Sequence, residues 1–319
     1  MNAPGADPQR PIGLVSIVVP AYNEEAVILD FIRRLSAVRR ILSVPSEVIF
    51  VNDGSRDATL AMLRALKAAD PTIGIVDLSR NFGKEIALTA GLDHTRGDIV
   101  VVIDADLQDP PELIPKMIEL WQQEEVDVVY GQRISRAGES TLKKASAHAF
   151  YRVIHALGGR AIPVDTGDFR ILSRRAVDAL AGLRERHRFM KGLFAWIGYR
   201  QVPILYERDA RFAGISKWNY WRLWNFSLEG ITSFTIAPLK ISTYLGLITA
   251  ALALLYGSYM MVRTIFFGNP VPGYPSLLVI ILFLGGVQLI FLGIIGEYLG
   301  RMFDEVKQRP IYIVKPPRR

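Results

Sequence analysis

Along the first third of the chain the apolar positions gather into short β-branched runs separated by amphipathic stretches. Val15–Val19, Glu47–Val51, Ile73–Leu78 and Ile99–Ile103 read as strands, and roughly 24–40, 56–69 and 83–95 read as the helices between them. This alternation predicts βαβ units, an α/β domain with a mainly parallel sheet and helices on its faces. Ligands of such sheets bind beyond the carboxyl ends of the strands.

Further along, the pattern changes character. From Thr141 to Leu157 and from Ser216 to Phe234, basic, aromatic and apolar residues intermix, with Trp218, Trp221 and Trp224 spaced evenly around Arg222. Such a mixture suits a helix lying in a lipid headgroup layer. Residues 241–262 and 277–296 then carry no Asp, Glu, Lys or Arg, and spans of roughly 241–262 and 275–296 are each near the ~20 residues that cross a hydrocarbon core. Gly268-Asn269-Pro270-Val271-Pro272-Gly273 supplies the turn between them. The expected organisation is a flexible N-terminus (1–12), a catalytic domain (13–215), an interfacial region (216–237), a two-helix transmembrane hairpin (238–298) and a basic cytoplasmic tail (299–319).

Charge orients this plan. Arg222 and Lys240 precede the first span, and Arg301, Lys307, Arg309, Lys315, Arg318 and Arg319 follow the second, whereas Arg263 is the one charge between them. The positive-inside rule therefore predicts both termini and the catalytic domain in the cytoplasm, with the hairpin in a bacterial inner membrane. The segment MNAPGADPQRPIG has no apolar stretch of a secretory signal, which agrees. The net charge of +7 suits an anionic membrane or a phosphorylated substrate, and with no run of five or more like charges and no nucleic-acid signature, nucleic acid is not expected as a partner. The absence of cysteine excludes disulfides and Cys-ligated zinc.

Three polar loops sit at strand ends: Pro20-Ala21-Tyr22-Asn23-Glu24-Glu25, Asn52-Asp53-Gly54-Ser55 and Asp104-Ala105-Asp106. No G-x-G-x-x-G follows the first strand and Asn81-Phe82-Gly83-Lys84 is not a P-loop, so neither a dinucleotide-binding domain nor a P-loop NTPase is expected. Asp104 and Asp106 end an almost wholly apolar strand. Two carboxylates there would repel a pyrophosphate unless a divalent cation lay between, and Mg2+ or Mn2+ prefers such oxygen ligands.

The segments VVPAYNEE, FVNDGSRDAT, LSRNFGKEIALTAGLDHTRGDIVVVIDADLQDPPE, VDTGDFRILSRRA, RFAGISKWNYWRL and IGEYLGRMFDEVKQRPIYIV span nearly the whole chain. In them the chain resembles the inverting family 2 glycosyltransferases, in the branch that includes dolichol-phosphate mannose synthase and bactoprenol glucosyltransferases. The resemblance implies a GT-A fold and assigns Pro20, Tyr22, Glu24, Val51, Asp53, Asp104, Ala105 and Asp106 to the nucleotide-sugar pocket, with Arg133 facing the phosphates. It implies Asp106 and Gln108 as metal ligands and Asp168, with Asp165 as its alternative, as the catalytic carboxylate. It places Arg211 and Lys217 on donor or lipid phosphate, and Lys144 and Ser146 in the acceptor site. The implied reaction moves a sugar from a nucleotide-sugar, UDP-glucose first and GDP-mannose or another UDP-sugar as alternatives, to polyprenyl (undecaprenyl) phosphate. A processive polysaccharide synthase would be expected to show Q-x-x-R-W, which does not occur, and a silent binding module would not be expected to keep Asp104, Asp106 and Asp168. The two spans also offer a surface through which a homo-oligomer could pack.

Overall fold

The computed structural model describes residues 11–134, 166–207, 237–268 and 273–316. The basic, aromatic stretches 141–157 and 216–234, and the middle of the turn between the spans, lie outside the described residues.

The chain divides into two compact units, residues 1–226 with 310–319, and residues 227–309. In the first, β1 (Val15–Ala21), α1 (Ile28–Ile41), β2 (Ser46–Asn52), α2 (Thr59–Ala69), β3 (Ile73–Asp77), α3 (Lys84–Asp93), β4 (Ile99–Val102), α4 (Ile114–Gln123), β5 (Val128–Arg133), β6 (Thr166–Ser173), α5 (Arg174–Ala181), α6 (Met190–Trp196) and β7 (Gln201–Tyr206) follow one another. Their strands form a seven-stranded sheet in the order β3-β2-β1-β4-β6-β5-β7. The strands β1 to β4 run parallel, β6 is antiparallel to both β4 and β5, and β7 returns parallel to β5. This is the mainly parallel, GT-A-like α/β sheet that the apolar pattern and the resemblance implied.

Strand order explains where a ligand can sit. The chain winds outward from β1 through β2 to β3, then crosses back to place β4 on the other side of β1. The crevice at such a reversal opens beyond the carboxyl ends of β1 and β4. Apolar burial on both faces of the central strands makes this geometry rigid. Val15, Ile17, Val19, Phe50, Ile99 and Val101 pack with Phe31 and Leu35 of α1 and Met117 and Trp121 of α4. On the opposite face Ile49, Val51 and Val76 meet Ala87 and Ala90 of α3. That helix lies so near the sheet that a Cβ added at Gly91 would stand 2.3 Å from Val18 Cγ1.

The first strand runs past Val19, where the β-branched pattern stops, through Pro20 to Ala21. Proline is tolerated because of its parity. Val18 directs its carbonyl toward β4, accepting from Ile103 N at 3.1 Å, and Ala21 directs its own toward β2, accepting from Asp53 N at 3.0 Å. Pro20 therefore faces the β4 side, where pairing has already ended at Val18↔Val102, and its missing N–H removes no ladder bond.

The second unit comprises α7 (Ala237–Phe267) and α8 (Tyr274–Val306), both long and apolar enough to span a membrane. They approach each other where Gly246 faces Phe291, a Cβ there lying 3.5 Å from the ring. Large side chains such as Leu254 and Phe266 are exposed along α7, as lipid contact would allow. The helix α8 continues to Val306, past the span expected to close near 296 and the hairpin boundary at 298, and the chain after it pairs with the first unit. Val314 forms an antiparallel bridge with Leu78, Ile313 O accepts from Ser79 N at 2.8 Å, and Lys315 N donates to Asp77 O at 2.7 Å.

The loop after β2 depends on Gly54. Its φ is +68°, and an added Cβ would fall 2.5 Å from the carbonyl carbon of Arg80 and 2.6 Å from Asn81 N. Backbone cannot yield as a flexible side chain would. Gly54→Ala is expected to destabilise the first unit by about 1–3 kcal/mol, read from the denaturant midpoint of the detergent-solubilised protein. An unshifted midpoint would show that the loop after β3 is free to move away.

Candidate active site

Two of the three strand-end loops are stitched to each other by hydrogen bonds. Asn23, at φ +55°, donates its backbone N–H to Ser55 Oγ at 3.1 Å and accepts Arg56 N on its Oδ1 at 2.9 Å. Glu24 N donates to Thr59 Oγ1 at 2.8 Å, and Glu25 Oε2 accepts Ala58 N at 2.8 Å. The Asn-Glu-Glu run thus joins the loop after β1 to the start of α2. Tyr22 stands half-exposed beside this seam, and Pro20 lies in the strand below it.

Asp53 ties the second loop to the segment before α3. It is buried, with Oδ1 accepting Phe82 N at 2.7 Å and Oδ2 accepting Gly83 N at 3.0 Å. Burial pushes its pKa up against the pull of those two N–H groups. The neighbouring side chains of Val51 and Ala105 are buried in the core, so what they can present to a ligand is backbone.

The third loop carries Asp104 and Asp106 through a strained turn. Leu107 has φ +59°, a conformation that costs a leucine on the order of 1–2 kcal/mol, and its side chain is buried in the core cluster that holds it there. Asp106 Oδ1 accepts Gln108 N at 3.1 Å, and the Gln108 side chain is buried.

Lys84, the first residue of α3, joins this loop to β6. Its Nζ lies 2.7 Å from Asp104 Oδ2 and 2.5 Å from Asp168 Oδ2. The lysine stem is partly exposed while the ammonium sits between the carboxylates. Burial works against its charge, but Asp104 and Asp168 outweigh burial and hold its pKa well above the usual lysine value. The two acids respond oppositely. Burial would raise Asp168, yet Lys84, Lys191 and Arg170 keep it well below the usual carboxylate range. Asp104 faces Lys84 but also Asp168 and Asp109, and burial pushes it up to about 6. Asp168 therefore ionises more readily than Asp104, and among the described residues its Oδ1 is buried without a hydrogen-bond partner.

Asp168 itself is buried. Arg170, on the same strand, stacks its guanidinium 3.6 Å from the Phe194 ring and donates to Gly167 O at 3.0 Å. Glu85 accepts Met190 N at 2.9 Å, bringing α6 and Lys191 to the cluster. On the other side, Arg133 ends β5 with its Nε 3.4 Å from Tyr206 OH and Nη2 3.9 Å from Asp109 Oδ1, and Tyr206 OH itself donates to Asp109. A Cβ at Gly167 would stand 3.0 Å from Arg133 Nη2, which sets Arg133 against the strand that bears Asp168.

The structure thus brings Asp104, Asp168 and Arg133 into one polar crevice, with Asp106 and Gln108 on its third loop. Asp165, Lys144, Ser146, Arg211 and Lys217 lie outside the described residues. Sequence reasoning missed Lys84, Glu85, Asp109, Arg170, Lys191 and Tyr206. A signal existed for three of them: Arg170 interrupts an apolar strand, Lys191 is the one charge between Phe189 and Phe194, and Lys84 stands at a helix start beside glycine.

Glu85 gives the cluster a pH signature. Burial, and then Asp168, raise its pKa to about 7 from an ordinary 4.5, against Met190 N–H, Lys84 and Lys191. The folded protein thus holds a proton that the unfolded chain releases. Stability is fully present below the unfolded pKa, falls as pH rises toward 7 by at most about 1.4 kcal/mol per unit, and levels off above it. Glu85→Gln keeps an acceptor for Met190 N and removes the titration. The denaturation midpoint of wild type should decline from pH 5 to 7 relative to the variant, and parallel curves would contradict the assignment.

Residues 16–181 match the model described as Glycosyl transferase family 2, and residues 237–302 match the GtrB C-terminal hairpin. An uncharacterised glycosyltransferase of Synechocystis sp. is 54% identical over 300 residues, covering 94% of each chain. A bactoprenol glucosyl transferase of Shigella phage SfX is 48% identical over 301 residues, covering 94% of this chain and 98% of that one. A mannosyl-3-phosphoglycerate synthase from Rubrobacter xylanophilus overlays with a TM-score of 0.48 at 19% identity, covering 68% of this chain and 71% of its own. By the extent of the sequence matches alone, the chain belongs to glycosyl transferase family 2 and carries the GtrB C-terminal hairpin.

Proposed function

We propose that the protein transfers a sugar, glucose from UDP-glucose in the first instance, to polyprenyl phosphate at the cytoplasmic face of a bacterial inner membrane. The observation that carries this reading is the ion-paired crevice of Asp104, Lys84 and Asp168 at the carboxyl end of the sheet, in a chain that also bears two membrane-length helices. The near full-length similarity to bactoprenol glucosyl transferases supports the acceptor. The basic flanks Arg222, Lys240, Arg301, Lys307 and Arg309 support the orientation.

The chemistry follows from the charges. A lipid phosphate has its second pKa near ~6 and is largely dianionic at neutral pH, so its oxygen can attack the anomeric carbon without a strong base. The bond to the nucleoside diphosphate breaks as the new bond forms on the opposite face, which inverts the configuration. Asp168, ionised and with one oxygen unpartnered among the described residues, then serves to orient the acceptor and to stabilise positive charge growing on the sugar. Arg133 faces the departing phosphates, and Arg211, Lys217, Lys144 and Ser146 are assigned to phosphate and acceptor.

The donor set on the third loop fits a hard divalent cation. Asp106 and Asp104 offer carboxylate oxygens and Gln108 an amide oxygen. That pattern suits Mg2+ or Mn2+ held by one or two carboxylates and completed by a substrate diphosphate. When bound, the ion would neutralise charge on the leaving diphosphate.

A panel of nucleotide-sugars offered with undecaprenyl phosphate, followed by product mass, tests the reading. A hexosyl lipid phosphate is the expected product, and its absence with every donor would refute the proposal. Asp106→Asn should abolish metal-dependent turnover in protein shown to be folded. Arg211→Ala or Lys217→Ala should lower kcat/KM roughly ten- to hundredfold, the scale of a charge-assisted phosphate contact. A defect confined to donor KM would move that pair from the lipid to the nucleotide-sugar.

A further inference from the structure

The segment that follows α8 makes contacts that neither the sugar-transfer chemistry nor membrane anchoring requires. Residues 310–316 return to the first unit and lie along the end of β3, the edge strand of the sheet. Two backbone bonds hold them there, Ser79 N to Ile313 O at 2.8 Å and Lys315 N to Asp77 O at 2.7 Å. Tyr312 packs against the cluster under α3 and donates its hydroxyl to Asp93 Oδ2 at 2.9 Å. Asp93 is held in turn by Arg184 at 2.7 Å.

What the segment touches leads into the crevice by two routes. The Asp77 carboxylate meets Lys315 Nζ at 3.5 Å and accepts Asn52 Nδ2 at 2.7 Å. Asn52 Oδ1 accepts Ser55 N at 3.2 Å, which closes the turn bearing Asp53 and Gly54. The second route runs through backbone. Ser79 begins the stretch whose Arg80 and Asn81 main chain lies against Gly54, and whose Phe82 and Gly83 N–H groups are gripped by Asp53. A seven-residue piece of chain thus buttresses both halves of the Asp53 loop without itself reaching the strand-end crevice.

We infer that residues 310–316 form a clasp whose docking on β3 sets the position of the Asp53 loop, and through it the affinity for the nucleotide-sugar. Asp77, Tyr312 and Lys315 are positioning residues. This inference rests on the assignment of the Asp53 loop to the donor pocket, which has its own separate test below. Docked, the clasp holds Asn52 and the 79–83 stretch in the arrangement that Asp53 bridges. Undocked, the turn keeps its sequence but loses the partner on its outer side.

The test uses the full-length protein in nanodiscs and three variants. One ends after Arg309, one is Lys315→Pro, which removes both the N–H donor to Asp77 O and the ammonium, and one is Lys315→Arg, which keeps both functions. Amide hydrogen exchange over 52–57 and 79–84 is read first, because it needs no substrate. Loss of one net hydrogen bond corresponds to roughly three- to tenfold faster exchange, expected in the truncation and in Lys315→Pro but not in Lys315→Arg. Donor KM should rise by a similar factor in the same two variants, with lipid KM unchanged. A merely structural role for the segment would lower the yield of folded protein while leaving the KM values of the surviving fraction alone. Wild-type exchange in the truncated and Lys315→Pro proteins would overturn the clasp. The donor assignment is judged apart, by Asp53→Asn: an unaltered donor KM there would remove the loop from the pocket while the exchange result still decides the coupling. Faster exchange with unaltered donor KM in the clasp variants would overturn the functional half of the inference.

Discussion

The site depends on one ammonium held between two carboxylates. Lys84 lies 2.7 Å from Asp104, on the loop after β4, and 2.5 Å from Asp168 on β6, and two carboxylates facing one buried site would repel each other without a cation between them. The lysine arrives there because α3 begins at that point, and α3 can begin there because its small face lets it press onto the sheet at Ala87, Ala90 and Gly91. Close helix packing and active-site charge are thus one constraint. An enlarged side chain on that face would move the ammonium before it disturbed any group that meets substrate.

The division of labour between the carboxylates follows from what surrounds each. Three cations face Asp168, whereas Asp104 has Lys84 set against Asp168 and Asp109. Two residues of the same type therefore carry different charge tendencies, one held toward the anion and the other pushed toward the protonated form. Such a difference is set by neighbours drawn from α3, β6 and α6, and no local motif records it.

That contrast also marks how far the sequence could be read. The parallel strands, the intervening helices and the apolar spans were legible because burial on two faces, on one stripe or all round leaves distinct periodicities. The strand-end loops were legible as polar interruptions with a recognisable resemblance. Partnerships were not. Nothing near Asp168 in the chain announces Lys84, which lies on another element, and the use of Asp53 to grip Phe82 and Gly83 depends on a backbone that only folding brings near. The extension of β1 through Pro20 escaped for a related reason, since proline breaks a pattern but here faces a side of the strand with no partner to lose. The fate of residues 310–316 was hidden by composition, because Lys315 reads as one more membrane-flanking charge.

The return of that last segment has a consequence for biosynthesis. In chain order the two membrane-length helices are an insertion within the first unit, since residues on both sides of them complete the same fold. During translation the sheet can form with β3 as a bare edge while both helices are still being made, and an unprotected edge invites pairing with other chains. The domain reaches its finished state only after residues 310–316 have emerged and found β3.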